Sequence, residues 1–158
     1  MHKYRILFVC LGNICRSPMA EAVANKIINT KGLTHISVDS AGIMGYHEGE
    51  KADPRMRKHG GERGYEVTSI SRPVTYEDFD DFDLLVGMDD SNVKALYDKA
   101  PTVEASRKIV RMADYLTSHP DYDHIPDPYY GGAKGFDLVV DLLEDGVDHL
   151  LKQVSERR

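Results

Sequence analysis

The sequence predicts an α/β fold, a four-stranded parallel sheet with helices on both faces. Strand-like and helix-like segments alternate along the chain, which implies parallel strands joined by right-handed crossovers. The first of them contains Ile6-Leu7-Phe8-Val9, a bulky run without polar alternation, as in a strand buried on both faces. The last carries Val139, Val140, Leu143, Val147, Leu150, Leu151 and Val154 at helical spacing, a core-packing stripe that Gly146 weakens slightly. The expected architecture is doubly wound and flavodoxin-like, with residues 1–158 forming one domain.

In chain order, the first strand runs from Arg5 to Val9. A helix from Pro18 to Thr30 follows. Ser17 is a good N-cap, Pro18 suits the first helical position, and Met19-Ala20-Glu21-Ala22 are mostly strong helix formers. His35 to Asp39 is the second strand and Pro54 to Glu62 the next helix. A short helix spans Thr75 to Phe82, started by the Thr75-x-x-Asp78 cap. Leu84 to Met88 is the third strand, after which Asp89 reads as the N-cap of a helix from Ser91 to Tyr97. Lys108 to Arg111 is the fourth strand, and Phe136 to Glu156 the final helix. Repeats, linkers and low-complexity segments are absent from the sequence.

With 158 residues, 41% hydrophobic and 29% charged, the composition is that of one soluble globular domain. The net charge of −6 gives no support for binding nucleic acid or an anionic membrane. No apolar run reaches the length of a membrane span. Met1-His2-Lys3-Tyr4 leads directly into the first strand, so no signal peptide is expected. Cys10 and Cys15, the only cysteines, share one loop. A secreted structural disulfide would staple distant segments, so a reducing cytoplasmic setting is the better reading.

That loop concentrates the chemistry. Val9-Cys10-Leu11-Gly12-Asn13-Ile14-Cys15-Arg16-Ser17-Pro18 joins a strand to a helix N-terminus, where open α/β sheets bind ligands and free amides attract anions. Cys10 is the candidate nucleophile, because a helix N-terminus and a nearby cation favour the thiolate. The Ser17 hydroxyl can donate a hydrogen bond to that sulfur. Gly12 lets the loop bend, and Asn13 tolerates a left-handed backbone or braces the loop with its amide. Arg16 offers a planar fork that matches two phosphoryl oxygens, and successive N–H groups make a nest for the remaining charge. A nucleotide-type phosphate loop is excluded, since it needs Gly-Lys-Ser/Thr.

An oxygen leaving group must be protonated as it departs from phosphorus. Two carboxylates compete for that role on the residues alone. Asp127 lies before Pro128 in the long unpatterned stretch from His119, and such loops often line active sites. Asp89 follows the third strand at the same sheet edge.

The Cys10 loop resembles the signature of the low-molecular-weight protein tyrosine phosphatases. The second signature of that family matches Asp127-Pro128-Tyr129-Tyr130, with further landmarks at Asp39-Ser40-Ala41-Gly42, Asp53-Pro54-Arg55 and Met88-Asp89 with Asn92. The resemblance covers nearly the whole chain. It implies Cys10 as nucleophile, Arg16 as phosphate clamp and Asp127 as general acid, with Ser17 and Asn13 as loop supports. It places Tyr46, Tyr129 and Tyr130 around the substrate cleft, which Leu11 and Ile14 shape. Many members carry a His where Ser69 stands, so altered loop support is expected there. The implied reaction is hydrolysis of phosphotyrosine in proteins or peptides through a phosphocysteine.

Alternatives remain at this stage. Related phosphatases that hydrolyse phosphoarginine tend to carry Thr where Ile14 stands, which tilts the choice to tyrosine. A non-enzymatic phosphopeptide-binding module needs neither Cys10 nor Asp127. A weak homodimer is neither supported nor excluded. Arsenate reductases use a similar loop but need additional thiols, and no Cys follows Cys15. Cys15 is either a thiol that traps oxidised Cys10 as a reversible disulfide or a small loop filler. The basic group Arg55-Met56-Arg57-Lys58 with Arg63 reads as a solvated face or as an attractor for acidic residues beside a phosphotyrosine. His119, Asp121, Asp123 and His124 lack the fixed spacing of a metal site, and no metal or other cofactor is expected.

Overall fold

The computed structural model describes residues 3–128 and 132–156. Its strands are β1 (Tyr4–Cys10), β2 (Ile36–Gly42), β3 (Leu84–Gly87) and β4 (Ile109–Arg111). All pairings are parallel, in the order β2-β1-β3-β4. The helices are α1 (Arg16–Lys31), α2 (Pro54–Glu62), α3 (Tyr76–Asp81), α4 (Asp90–Lys99), α5 (Val103–Ser106) and α6 (Gly132–Glu156). A 3₁₀ turn spans Met112–Tyr115.

The unalternated run of β1 is buried on both sides, as its sequence predicts. Ile6, Phe8 and Cys10 belong to the larger core with α1 and α6. Leu7 and Val9 belong to a second core with Phe79, Phe82 and Leu96 on the opposite face. The apolar stripe of α6 closes the larger core, with Val139, Val140, Leu143, Val147, Leu150 and Leu151 all buried. Strand order reverses between β1 and β3, and the carboxyl end of β1 opens into the Cys10 loop. That edge is where a doubly wound sheet leaves a crevice for ligand. No helix among the described residues is long and apolar enough to cross a membrane.

Four local expectations need correction. Helix α1 begins at Arg16 rather than Pro18, and Cys15, not Ser17, occupies the N-cap position. The Ser17 side chain is drawn instead to Cys10 Sγ and Asn13, so a good capping residue serves the loop. Strand β2 extends to Gly42 and α6 begins at Gly132. The capping box at Thr75 and Asp78 is formed as expected, and α2 spans the predicted range. The short α5 and the 3₁₀ turn have no periodic signal long enough to announce them.

The stretch that carries Asp127 is anchored at both ends. At its start, the buried Asp145 carboxylate of α6 accepts from Thr117 N (3.1 Å), Ser118 N (2.9 Å), Thr117 Oγ1 (3.1 Å) and His119 Nδ1 (3.0 Å). At its end, Ile125 N donates to Met88 O at 2.8 Å. Burial by itself would raise the Asp145 carboxyl, but the bonds from His119, Thr117 and Ser118 outweigh it and hold it below its ordinary value. Stability from such a group is complete above the unfolded carboxylate pKa and lost as pH falls through the lower native one. We expect Asp145→Asn to lower urea-measured stability by about 2 kcal/mol at pH 7. The gap between variant and parent should close below about pH 4. A gap that persists undiminished in acid would contradict this role.

Candidate active site

The Cys10 loop is inverted by its surroundings. Four of its carbonyls are taken by groups outside it: Cys10 O by Ile43 N (2.9 Å), Leu11 O by Met44 N (2.9 Å), Gly12 O by Ser71 Oγ (3.0 Å) and Ile14 O by Asp53 N (2.8 Å). The peptides are trans, so each following N–H points opposite to its carbonyl. The N–H groups of Leu11, Gly12, Asn13 and Cys15 are thereby turned away from those four partners. Gly42 permits this close fit, since a Cβ there would sit 3.0 Å from Leu11 O and the Gly12 carbonyl carbon.

Asn13 does both things its sequence allowed. Its backbone is left-handed, with φ 57°. Its Nδ2 donates to Ser17 Oγ (2.8 Å) and Ser40 Oγ (3.0 Å), and its Oδ1 accepts from Arg72 N (3.0 Å). Ser40 Oγ passes its own proton to Glu21 Oε1 at 2.6 Å. Ser17 Oγ accepts from Asn13, and its one proton is within reach of Cys10 Sγ (3.0 Å) and of Ala41 O (3.4 Å). Ser17 N also points at the sulfur, at 3.5 Å. Ser17 thus brings both its hydroxyl and its N–H to the one sulfur.

Cys15 has a different environment. Burial, reinforced by the charge of Asp53, pushes its thiol well above the ordinary range. It therefore stays protonated at neutral pH, and of the two cysteines only Cys10 has donors on its sulfur among the described residues.

The Arg16 guanidinium is 3% exposed and held on one edge. Its Nη1 donates to Asp89 Oδ2 (2.7 Å) and Ile125 O (3.0 Å), while Nη2 lies 3.6 Å from Asp127 Oδ2. Asp89 Oδ1 accepts from Asn92 N at 2.8 Å, capping α4. Both Asp89 oxygens are thus engaged, one by the cap and one by Arg16. Asp127, 41% exposed, lines the cavity over the loop.

That cavity is about 220 Å³. Cys10, Leu11, Gly12, Ile14, Cys15 and Arg16 form its floor and sides, and Tyr46, His47 and Asp127 complete it. Asn13 and Ser17 lie beneath, buried. The structure therefore brings together the predicted nucleophile, clamp, acid, loop residues and Tyr46. Tyr129 and Tyr130 lie outside the described residues.

The segment with the unusual Ser69 braces the loop through its neighbours. Ser71 Oγ holds Gly12 O and Arg72 N holds Asn13, while Ser69 Oγ is buried without a hydrogen-bond partner among the described residues. His47 was not anticipated, and adjacency to Tyr46 is the one signal that points to it. The basic group is largely consumed within the fold. Arg55 pairs with Asp53 (2.9 Å), Arg57 Nε donates to Ala52 O (3.0 Å), and Arg63 pairs with Asp141 (2.6 Å) and Glu144 (3.0 Å). His119 turns to Asp145 and His124 to Asp123, so the metal-like string is dispersed.

Residues 5–158 match the family model described as low molecular weight phosphotyrosine protein phosphatase. The chain belongs to that family. It is accordingly a hydrolase of the protein tyrosine phosphatase class. A low molecular weight protein-tyrosine-phosphatase of Streptomyces coelicolor is 41% identical over 157 residues, covering 98% of this chain and 95% of its own. The crystal structure of a protein tyrosine phosphatase from Entamoeba histolytica superposes with a TM-score of 0.94 at 50% identity, covering 98% of both chains. YfkJ from Bacillus subtilis superposes with a TM-score of 0.92 at 37% identity, over 100% of this chain and 98% of that one. The architecture is thus shared with both of these solved structures.

Proposed function

We propose that this phosphatase hydrolyses phosphotyrosine in proteins and peptides, and other aryl phosphates, through a phosphocysteine on Cys10. The observation that carries the reading is the convergence on one cavity of the Cys10 sulfur, the residues of its loop and the anchored Arg16 guanidinium. A dianionic phosphoryl group fits that arrangement: three oxygens meet N–H donors and the guanidinium fork, and phosphorus sits above the sulfur.

In the first step the Cys10 thiolate forms an S–P bond as the P–O bond to the aryl oxygen breaks. Asp127 delivers its proton to the departing oxygen. Asp127 suits this role because it lines the cavity, whereas Asp89 is occupied in capping α4 and bracing Arg16. In the second step Asp127, now a carboxylate, takes a proton from water, the water oxygen bonds phosphorus, and the S–P bond breaks. Inorganic phosphate leaves and the thiolate returns. The loop amides and Arg16 stabilise the equatorial oxygens in both steps, which is where most of the acceleration of phosphoryl transfer arises. Asn13 and Ser17 position the sulfur. The chemistry requires Cys10 reduced, which accords with two free cysteines and a cytoplasmic setting.

Leu11, Ile14 and Tyr46 give the cavity apolar and aromatic sides, which favour an aromatic ring over a short seryl phosphate. The test is competition against p-nitrophenyl phosphate hydrolysis. Phosphotyrosyl peptides should compete strongly and phosphoarginyl peptides weakly. Stronger competition by phosphoarginine would reassign the substrate, and absence of aryl phosphate hydrolysis would end the proposal.

A further inference from the structure

We propose that Arg55 is a positioning residue for the general acid, its guanidinium tying the phosphate loop to the start of α6 so that Asp127 is held at the departing oxygen. The role rests on the phosphatase reading above and deepens it, because Arg55 lies outside the described lining of the cavity over Cys10.

At one end Arg55 is locked to the phosphate loop. Its backbone N and its Nε donate to Asp53 Oδ1 (2.8 and 3.1 Å), and its Nη2 donates to Asp53 Oδ2 (2.9 Å). Asp53 is buried at the N-cap of α2, and its own N–H donates to Ile14 O at 2.8 Å. A guanidinium engaged along one edge by a carboxylate keeps its plane, and so its face, in one orientation. That face covers the Phe136 ring, with Cζ 4.8 Å from the ring centroid. His59 lies one turn further along the same side of α2. It stacks on the same ring at 5.6 Å and 15°, and its Nδ1 lies 2.7 Å from Asp137 Oδ1.

At the other end the first turns of α6 meet the acid. Phe136 is fully buried. Its neighbour Gly135 packs on Pro128: a Cβ there would lie 3.7 Å from Pro128 Cα and Cβ and 3.9 Å from Pro128 O. Pro128 directly follows Asp127 and confines it to an extended backbone, so a displaced Pro128 carries the carboxylate with it. On the upstream side Ile125 N is fixed to Met88 O at 2.8 Å. Asp127 thus lies between one point fixed at the end of β3 and another fixed by α6. Arg55 sets the second point relative to the loop that carries Cys10.

Arg55 also brings a positive charge near that loop. Losing the charge would weaken the binding of every phosphate ester alike, whatever its phenol. Misplacing the acid penalises only those esters whose phenols need a proton to depart.

The experiment measures kcat/KM for aryl phosphates, from phenyl phosphate to dinitrophenyl phosphate, and reads the slope against phenol pKa. We expect Arg55→Ala to cost about tenfold on phenyl phosphate and about twofold or less on dinitrophenyl phosphate. Phe136→Leu removes the ring and leaves the Asp53–Arg55 pair in place. It should steepen the slope in the same sense, which keeps the proposal testable if Arg55→Ala fails to fold. Adding Arg55→Ala to Asp127→Ala should leave the slope at the Asp127→Ala value, since no acid remains to be misplaced. Equal losses across the series in Arg55→Ala and Phe136→Leu, or further steepening in the double variant, would overturn the assignment. If the parent enzyme hydrolyses none of these esters, the phosphatase reading itself fails. If it hydrolyses them and the slope stays constant in both single variants, only the role of Arg55 fails.

Discussion

Cys10→Ser lowers kcat for p-nitrophenyl phosphate by roughly 10⁴-fold or more, while inorganic phosphate still binds. The two halves of this result have separate causes. Serine replaces the nucleophilic sulfur with a hydroxyl that stays protonated at neutral pH. Within the loop itself Ser17 Oγ already accepts from Asn13, so no base there is placed to take the new hydroxyl's proton. The binding elements are untouched, because the loop N–H groups depend on Ile43, Met44, Asp53 and Ser71 rather than on the sulfur. Serine is slightly smaller than cysteine at this buried site, so the fold should persist. The check is kcat together with phosphate affinity by calorimetry. Turnover comparable with the parent would rule out the covalent route, and loss of phosphate binding would show that the loop itself had collapsed.

Asp127→Ala costs about 10²–10⁴-fold in kcat/KM on phenyl phosphate, whose leaving group needs a proton. The loss shrinks for aryl phosphates with acidic phenols, because those depart as anions without help. A plot of log kcat/KM against phenol pKa should therefore be steeper for the variant than for the parent. Asp127 lies 3.6 Å from Arg16 Nη2, so removing it also takes a negative charge from beside the guanidinium. That second effect does not depend on the leaving group and cannot steepen the plot. Equal losses across the series would move the acid to Asp89.

Much of this site is visible in the chain because its working groups are contiguous. Cys10, Gly12, Asn13, Arg16 and Ser17 lie in one loop between a buried strand and a helix, and the run Ile6-Leu7-Phe8-Val9 announces that strand by composition alone. What holds the loop is not contiguous. Its carbonyl partners come from positions 43, 44, 53 and 71, and Asn13 is bound by Ser40 and Arg72. Most of these contacts use backbone groups, which every residue possesses, so no residue type marks them. Ser17 shows a second limit: capping propensity is local, and the demand of a buried sulfur overrode it. Asp89 shows a third. The cap was legible, but the same carboxylate reaching Arg16 at 2.7 Å depends on where β1 and β3 lie side by side. His47 carried no signal beyond its adjacency to Tyr46, because its partner is Glu50 on its own turn and its neighbour Gly12 is distant in sequence.

The account stands or falls on a phosphoryl group resting covalently on Cys10. Rapid mixing of enzyme with p-nitrophenyl phosphate, acid-quenched in the first turnovers and read by intact mass and peptide mapping, tests this directly. The predicted result is a burst of p-nitrophenol stoichiometric with enzyme, accompanied by one added phosphoryl group on the peptide containing Cys10. Steady release without a burst would leave the matter to the mapping, and full turnover in which Cys10 never carries phosphate would contradict the account.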